Sequence, residues 1–445
     1  MKPSPLSQRR VTWVLWCLLL PAVVHAGKTQ EDQPPVPSPD PTPGMKTGEP
    51  SSAKVVVAAD FSSLQAAIDA LPDSGGIVRL APGIHDIHEP LKVRTGDTRL
   101  EGSGTATSIR NLNEKGQPAI MIQPDTAETD RKAHLWRVEV CNLRVTGNRK
   151  SGPGIQATAV HEIVIRNVTV DRHGSHGILM NRCEENPRVI GCNLTYNNGY
   201  GLRMVGGHDM VVSANHFEEN LHAISVADAF NLTFSGNNVD DHLQNGIVIE
   251  NTYGSVVSGN MIEECEGTAV ILDRECYGIT LSSNVIAHHM EGGIDLRHAW
   301  GCTLTGNNFV LLHRFSIRVS HKSGRHTITG NQFTNSYTGA GKVRRKLEHP
   351  NPLQLDVGSG VLVEDAEDIV ISGNQFSGIS TPAVKATDNS KRLLVNGNLI
   401  TDHGQLQPAD TAPIQLGGAK DSLVSDNLIG PASSRIKNES RAVRR

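Results

Sequence analysis

Carboxylates, guanidinium groups and imidazoles recur at a fixed interval between residues 246 and 322. Glu250, Asp273, Arg297 and Ser320 succeed one another after 23, 24 and 23 residues. Asp295 precedes Arg318 by 23 residues, and His298 precedes His321 by 23. If one interval is one coil of a stacked chain, residues one interval apart lie about 4.8 Å from each other, and the whole set becomes one surface patch. Glu250 and Asp273 would then perturb each other's ionisation unless a cation intervened. Two carboxyl groups about 5 Å apart suit retaining glycoside hydrolysis. Asp295, Arg297 and Arg318 offer a charge clamp for an anionic group, and His298 and His321 can move a proton. The bland alternative is a solvated strand face with ordinary ion pairs. One contiguous patch that mixes both signs with histidine points beyond it.

The interval belongs to the whole middle of the chain. A landmark asparagine recurs as Asn142, Asn167, Asn193, Asn215, Asn237, Asn260, Asn284, Asn307, Asn331, Asn374, Asn398 and Asn427, mostly 22 to 26 residues apart. Val257-Ser258-Gly259-Asn260 and Leu304-Thr305-Gly306-Asn307 show the motif. A second signature follows, as in Gly246-Ile247-Val248-Ile249 and Gly293-Ile294-Asp295-Leu296. Each repeat therefore holds two or three short strands separated by Asn/Gly turns. A unit this short cannot bury its own apolar face, whereas stacked units can. The asparagines are expected to bond to one another along the stack, inside the wall. In the Gly-Ile-x-Leu strand the aliphatic residues point inward and x points outward. Arg203, Ser225, Val248, Ile271, Asp295 and Arg318 then form one outward column. Val205, Ala227, Glu250, Asp273, Arg297 and Ser320 form the next, and Gly206, Asp228, Asn251, Arg274, His298 and His321 a third.

Two further columns border this face. His208, Phe230, Tyr253, Tyr277 and Trp300 stand seven residues before the landmark and use a large share of a chain that is only 4% aromatic. Such rings can serve as sugar-stacking platforms or simply stack on one another. On the other border, Glu218-Glu219, Asp240-Asp241 and Glu263-Glu264 stack acids that repel unless hydrated or bridged; Glu219, Asp241 and Glu264 are candidate Ca²⁺ ligands. No helical His-x-x-x-His occurs, which argues against zinc. One gap, from Asn331 to Asn374, is nearly doubled. Its extra residues include Lys342, Arg344, Arg345 and Lys346 and enter beside the charged face. Long insertions in compact repeats are often functional, and this one reads as a basic overhang that grips an anionic polysaccharide.

The ends of the chain differ from its middle. Lys2, Arg9 and Arg10, the apolar run from Val11 to Val24, and Val24-His25-Ala26 read as a secretory signal peptide over residues 1–26. Residues 27–54 form a Pro-rich linker, residues 55–430 the repeat domain, and residues 431–445 a basic tail. The expected location is secreted, periplasmic or cell-surface. The run is too short for a membrane span, and none remains after cleavage. A formal charge of −4 excludes broad electrostatic capture of nucleic acid. Export permits disulfides among the six remaining cysteines, and Cys183 with Cys192 is the pair to test.

Phe61 to Leu71 reads as an amphipathic helix with Ser62 as its N-cap; Gly75-Gly76-Ile77-Val78-Arg79-Leu80 and Leu100-Glu101-Gly102-Ser103-Gly104 follow. This opening, with the repeats after it, resembles the pectin-lyase-like (pectate lyase) superfamily over roughly residues 55–430. The resemblance implies an all-β, right-handed parallel β-helix of about twelve coils whose N-terminal helix caps the open end. It also implies activity on an extracellular polysaccharide. The hydrolase motifs of the superfamily are not matched: Asn251-Thr252-Tyr253 lacks the acid, and Gly174-Ser175-His176-Gly177 is only approximate. An Asp-Pro-His-Asp epimerase signature is also missing. Uronate lyases of this fold use Arg or Lys as base and neutralise the carboxylate with Ca²⁺ or Arg. The reading the resemblance favours is β-elimination or related C5 chemistry on a uronate. In it Arg297 or Arg318 neutralises the carboxylate and His298 or His321 moves the proton. Asp295, Asp273 and Glu250 orient them or hold Ca²⁺. Hydrolysis through Glu250 and Asp273, and a non-catalytic binding solenoid, are the alternatives.

Overall fold

The computed structural model describes residues 53–335, 358–404 and 411–430, and the backbone of two short strands, Tyr337–Thr338 and Val343–Arg344, that pair antiparallel. The signal peptide, nearly all of the linker, the basic tail, Lys342, Arg345 and Lys346 lie outside the described residues, as does the Arg344 side chain. From Ala53 onward the chain winds as a right-handed parallel solenoid of about 14 turns, two more than the landmark count, because the coils that begin with Gly76–Arg79 and Thr98–Glu101 have no asparagine at the corner that follows.

Each full coil contributes three strands, typified by Val256–Ser258, Met261–Glu263 and Thr268–Asp273. They stack into three parallel ladders. The third ladder holds 13 strands. The first two ladders run together where Val138–Thr146 and Val164–Asp171 turn the corner without a break. Alternation puts one face of every strand inside. The interior is filled by aliphatics and by a parallel file of Phe309, Phe333 and Phe376, with ring centroids 4.9 and 4.3 Å apart.

The wall is held at its first corner by the asparagine ladder. From Asn215 through Asn237, Asn260, Asn284, Asn307, Asn331, Asn374 and Asn398 to Asn427, each backbone N–H and side-chain amide donates to the Oδ1 of the next at 2.8–3.1 Å. Asn142, Asn167 and Asn193 are not members. The ladder position in their coils is taken by Leu143, Val168 and Cys192, and the Cys192 N–H donates to Asn215 Oδ1. Asn142 and Asn167 instead adopt the left-handed conformation (φ 55° and 54°) that Gly236 and Gly259 supply later. Asn193 begins a strand on the outside. Aligning on Asn rather than on the preceding turn shifts the register by one.

The opening helix is Leu64–Asp69, and its cap is Ser63, whose hydroxyl accepts from the Ala66 N–H at 3.1 Å; Ser62 has no such role. Gln65 shows how the helix protects the end. Its amide donates to the Lys92 carbonyl and accepts from the Lys92 N–H (3.1 and 2.7 Å), occupying the edge of the first third-ladder strand, Leu91–Val93. Cys141, Cys183, Cys192, Cys265, Cys276 and Cys302 are all free and buried. Cys183 and Cys192, the one pair that spacing made a candidate for a bridge, are not bonded: the two thiols lie at different corners, one directed to the Ala157 carbonyl and the other to that of Ile165. No helix among the described residues is long and apolar enough to cross a membrane.

Candidate functional site

The third ladder carries the charged face. Its register pairs Arg203 with Ser225, Val248, Ile271, Asp295, Arg318 and Leu362 in succession, and Glu250 with Asp273. The columns expected from spacing are therefore adjacent in space. What spacing did not show is how the charges engage. Asp295 projects outward yet is 0% exposed, because two guanidiniums cover it. Arg297 Nε donates to Asp295 Oδ2 at 2.5 Å, and Arg318 grips the same carboxylate with Nε on Oδ1 (2.9 Å) and Nη2 on Oδ2. A bidentate pair of this kind fixes direction as well as charge. Asp295 holds the Arg318 guanidinium well above its ordinary pKa. Arg297 Nη1 also reaches Asp273 Oδ2 at 4.0 Å.

Phe315 is a supporting residue that sequence reasoning missed. The Arg318 guanidinium lies 4.7 Å above its ring. The ring in turn sits where a side chain at Gly292 would be, with an added Cβ only 2.4 Å from it. Arg274 was also underrated. It stands between the acids, with Nη2 3.1 Å from Asp228 Oδ1 and Nη1 3.7 Å from Glu250 Oε1. Glu250 and Asp273 are thus neighbours in register, but each has an arginine partner. His298 and His321 stack at 5.7 Å, both with left-handed backbone.

A cavity of about 770 Å³ continues this face toward the N-terminus. It is lined by Gln123, Gln156, Asn181, Val205 and Asp228, and walled by Ala127, Glu128 and Arg131 from the segment 124–134. Asp228 belongs to both cavity and charged patch. A second cavity of about 590 Å³ lies beside the N-terminal helix and shares no residue with this face.

Ring stacks border the ladder at both ends of its strands. His208, Phe230, Tyr253 and Tyr277 stack at 4.8, 5.1 and 5.4 Å with nearly parallel planes. Trp300 follows in register and meets the Arg325 guanidinium at 5.8 Å. Phe230 and Tyr253 thus spend both faces on neighbouring rings. Tyr253 and Tyr277 are exposed (42% and 57%); the stacking spends both faces of Tyr253 and one face of Tyr277 within the column. A second stack, His176–Tyr200–His222 with Arg203 over Tyr200, was not anticipated.

The acidic border is real and electrostatically tense. Glu219, Asp241 and Glu264 occupy one left-handed column, continued by His288 (φ 46°, 52°, 51° and 60°). Burial, reinforced by Asp241, Glu263, Glu264 and Glu218, pushes the Asp240 carboxyl up to about 6. Burial and the Asp241 charge also raise Glu264. Glu263 escapes, lowered by its hydrogen bond from His288 Nδ1 at 2.9 Å, which raises His288 in return. The column Glu219, Asp241 and Glu264 is rich in the hard oxygen donors that Ca²⁺ takes, but the donor atoms that lie within 4.8 Å of one another on this border are those of Glu263, Glu264 and His288, and His288 partners both glutamates, at 2.9 and 3.4 Å.

No curated protein matches the chain in sequence. Solved structures match it in fold. The Agl-KA catalytic domain is 14% identical with a TM-score of 0.55, over 79% of this chain and 69% of that one. A mutant DFA-IIIase from Arthrobacter chlorophenolicus A6, in complex with DFA-III, is 12% identical with a TM-score of 0.52, over 84% and 99%. PfbA, a surface adhesin of Streptococcus pneumoniae, is 12% identical with a TM-score of 0.52, over 75% and 93%. The family described as "Right handed beta helix region" matches residues 153–309 and 245–430. Those spans together exceed half the sequence and coincide with the three stacked ladders: the chain belongs to the right-handed β-helix family.

Proposed function

We propose that the protein is an exported β-helix that acts on an anionic, uronate-containing polysaccharide lying along the third ladder, by β-elimination or related chemistry at C5. The observation that carries this reading is the pinning of Arg297 and Arg318 by the buried Asp295. Asp295 consumes Nε and Nη2 of Arg318, and no hydrogen bond among the described residues takes its Nη1. Two pre-aimed guanidiniums suit a sugar carboxylate whose charge grows when its α-proton is withdrawn. In this scheme His298 or His321 takes the C5 proton. The electron pair left behind forms the C4–C5 double bond as the C4–O bond breaks, and the departing oxygen takes up a proton. Glu250 and Asp273 act on position and field. Ca²⁺ at Glu219, Asp241 and Glu264 would bridge an anionic chain to the acidic border. The neighbours in fold include a catalytic domain and an enzyme in complex with DFA-III.

Incubation with pectate, alginate, glycosaminoglycans and neutral glycans tests the reading. An unsaturated product absorbing in the ultraviolet is the expected result. Reducing ends without it would favour hydrolysis through Glu250 and Asp273. Binding without turnover would favour a non-catalytic solenoid, a reading supported by the ion-pair partner that every charged group of the patch has within the protein and by the likeness to an adhesin. Arg318→Lys keeps the charge but loses the fork, and is expected to weaken binding of an anionic oligosaccharide at least tenfold by calorimetry. If Asp273→Ala and Arg297→Ala leave a detected activity intact, the proposed site is wrong. Ca²⁺ is expected to raise Tm by a few degrees in differential scanning, an effect that Asp241→Asn should remove.

A further inference from the structure

Three side chains away from the charged patch converge where the segment 124–134 rejoins the solenoid. His134 ends that segment. His161 closes the short strand Val160–His161, which pairs in parallel with Leu135–Trp136, and Glu184 comes one coil later. One donor atom from each lies within 4.8 Å of the other two. His134 Nδ1 is 2.9 Å from the Lys132 carbonyl. Only a protonated Nδ1 donates to that oxygen, so the neutral ring carries its lone pair on Nε2. His161 is 7% exposed, and its Nδ1 is buried without a hydrogen-bond partner. Its ring is packed by His134 at 4.1 Å and Trp136 at 4.5 Å. Two imidazoles and one carboxylate suit zinc and its first-row neighbours rather than Ca²⁺, which prefers oxygen throughout.

We propose that His134, His161 and Glu184 bind a divalent ion of the zinc type, and that this ion fastens the 124–134 segment to the solenoid at the wall of the cavity. That segment supplies Ala127, Glu128 and Arg131 to the cavity. Arg182 already ties it down by donating from Nη2 to the Ala127 carbonyl at 2.8 Å. Tetrahedral zinc bonded at about 2.0–2.1 Å keeps its donor atoms about 3.4 Å apart. Binding therefore shortens the separations of the three atoms by up to about 1.4 Å and turns the His134 ring out of its stack. A fourth position is left for water. The helical spacing that usually announces zinc is missing because the ligands come from successive coils, 27 and 23 residues apart.

The full-length protein, stripped with a chelator and titrated with Zn²⁺ in a calorimeter, should take up one ion per chain with micromolar or tighter affinity. Ca²⁺ should not compete. Trypsin cleavage after Arg131 or Lys132 should slow at least tenfold when Zn²⁺ is present. His134→Gln and Glu184→Gln, at partly exposed positions, should each weaken uptake at least tenfold while leaving thermal unfolding of the metal-free protein unchanged. Absence of saturable uptake, or uptake equally tight in both variants, would overturn the proposal. Neither outcome depends on the enzymatic reading of the groove.

Discussion

Asn284→Ala should lower the unfolding free energy by about 2–6 kcal/mol, more than any surface substitution in this chain. The reason is the number of buried groups that depend on one amide. Asn284 Oδ1 accepts from both the backbone N–H and the side-chain amide of Asn260, at 3.1 and 2.9 Å. Its own amide donates to Asn307 Oδ1 and to the Val257 carbonyl, at 2.9 and 3.0 Å. Asn284 is 1% and Asn260 2% exposed. Truncation orphans two donors that water cannot reach, each costing about 1–3 kcal/mol. Asn193→Ala, on an exposed strand position outside the ladder, should stay within about 0.5 kcal/mol. Denaturant midpoints of the two variants make the comparison. Equal midpoints would mean that the ladder follows the fold rather than holding it.

Acidification should unfold the protein well before its carboxylates are neutralised. Burial lowers His173, His289 and His326 from 6.5 to about 4. At His289, Nδ1 accepts from the Cys265 N–H (3.2 Å) and Nε2 faces the Ile262 carbonyl (3.1 Å), so a second proton would oppose one donor to another. His326 repeats this at the Cys302 N–H. Because the unfolded chain takes up these protons first, the stability such residues contribute is complete above pH 6.5. It is lost progressively as pH falls toward 4, by at most about 3 kcal/mol for each histidine. Asp240, raised to about 6, and the raised Glu264 and His288 act in the opposite sense, but as partly buried groups against several fully buried imidazoles. His289→Asn tests the cause. Asn197 and Asn220 occupy the same wall column and make the equivalent bond to the N–H of the preceding coil, so the variant keeps that bond while deleting the proton site. Its midpoint should fall less steeply between pH 6.5 and 4 than that of the parent; an unchanged slope would sink the explanation.

The repeat was legible because a solenoid turns sequence period into spatial neighbourhood. Glu250 beside Asp273, and Asp295 beside Arg318, followed from counting residues and were found in register. The register of the first coils was misread for a local reason: Asn142 and Asn167 hold the turn, not the ladder, and both places favour asparagine. Spacing also misjudged chemistry that depends on side-chain direction. It placed Phe230, Tyr253 and Tyr277 in one column but could not say that their faces would be turned on one another.

The sequence by itself determined the architecture: strand alternation, turn residues and a constant interval leave stacking as the only way to bury so many short apolar faces. It also determined which residues share a column. Only the tertiary structure decided which charges are free and which are spent. Spacing placed Asp295 in a charge clamp with Arg297 and Arg318, and only the fold makes it the buried anchor that holds both arginines. His134, His161 and Glu184 looked unrelated, and they meet at one corner. Pattern fixes the backbone because each coil must match the hydrogen bonds of the next. The ends of long side chains are set by burial and by the partner within reach, and no interval in the sequence encodes these.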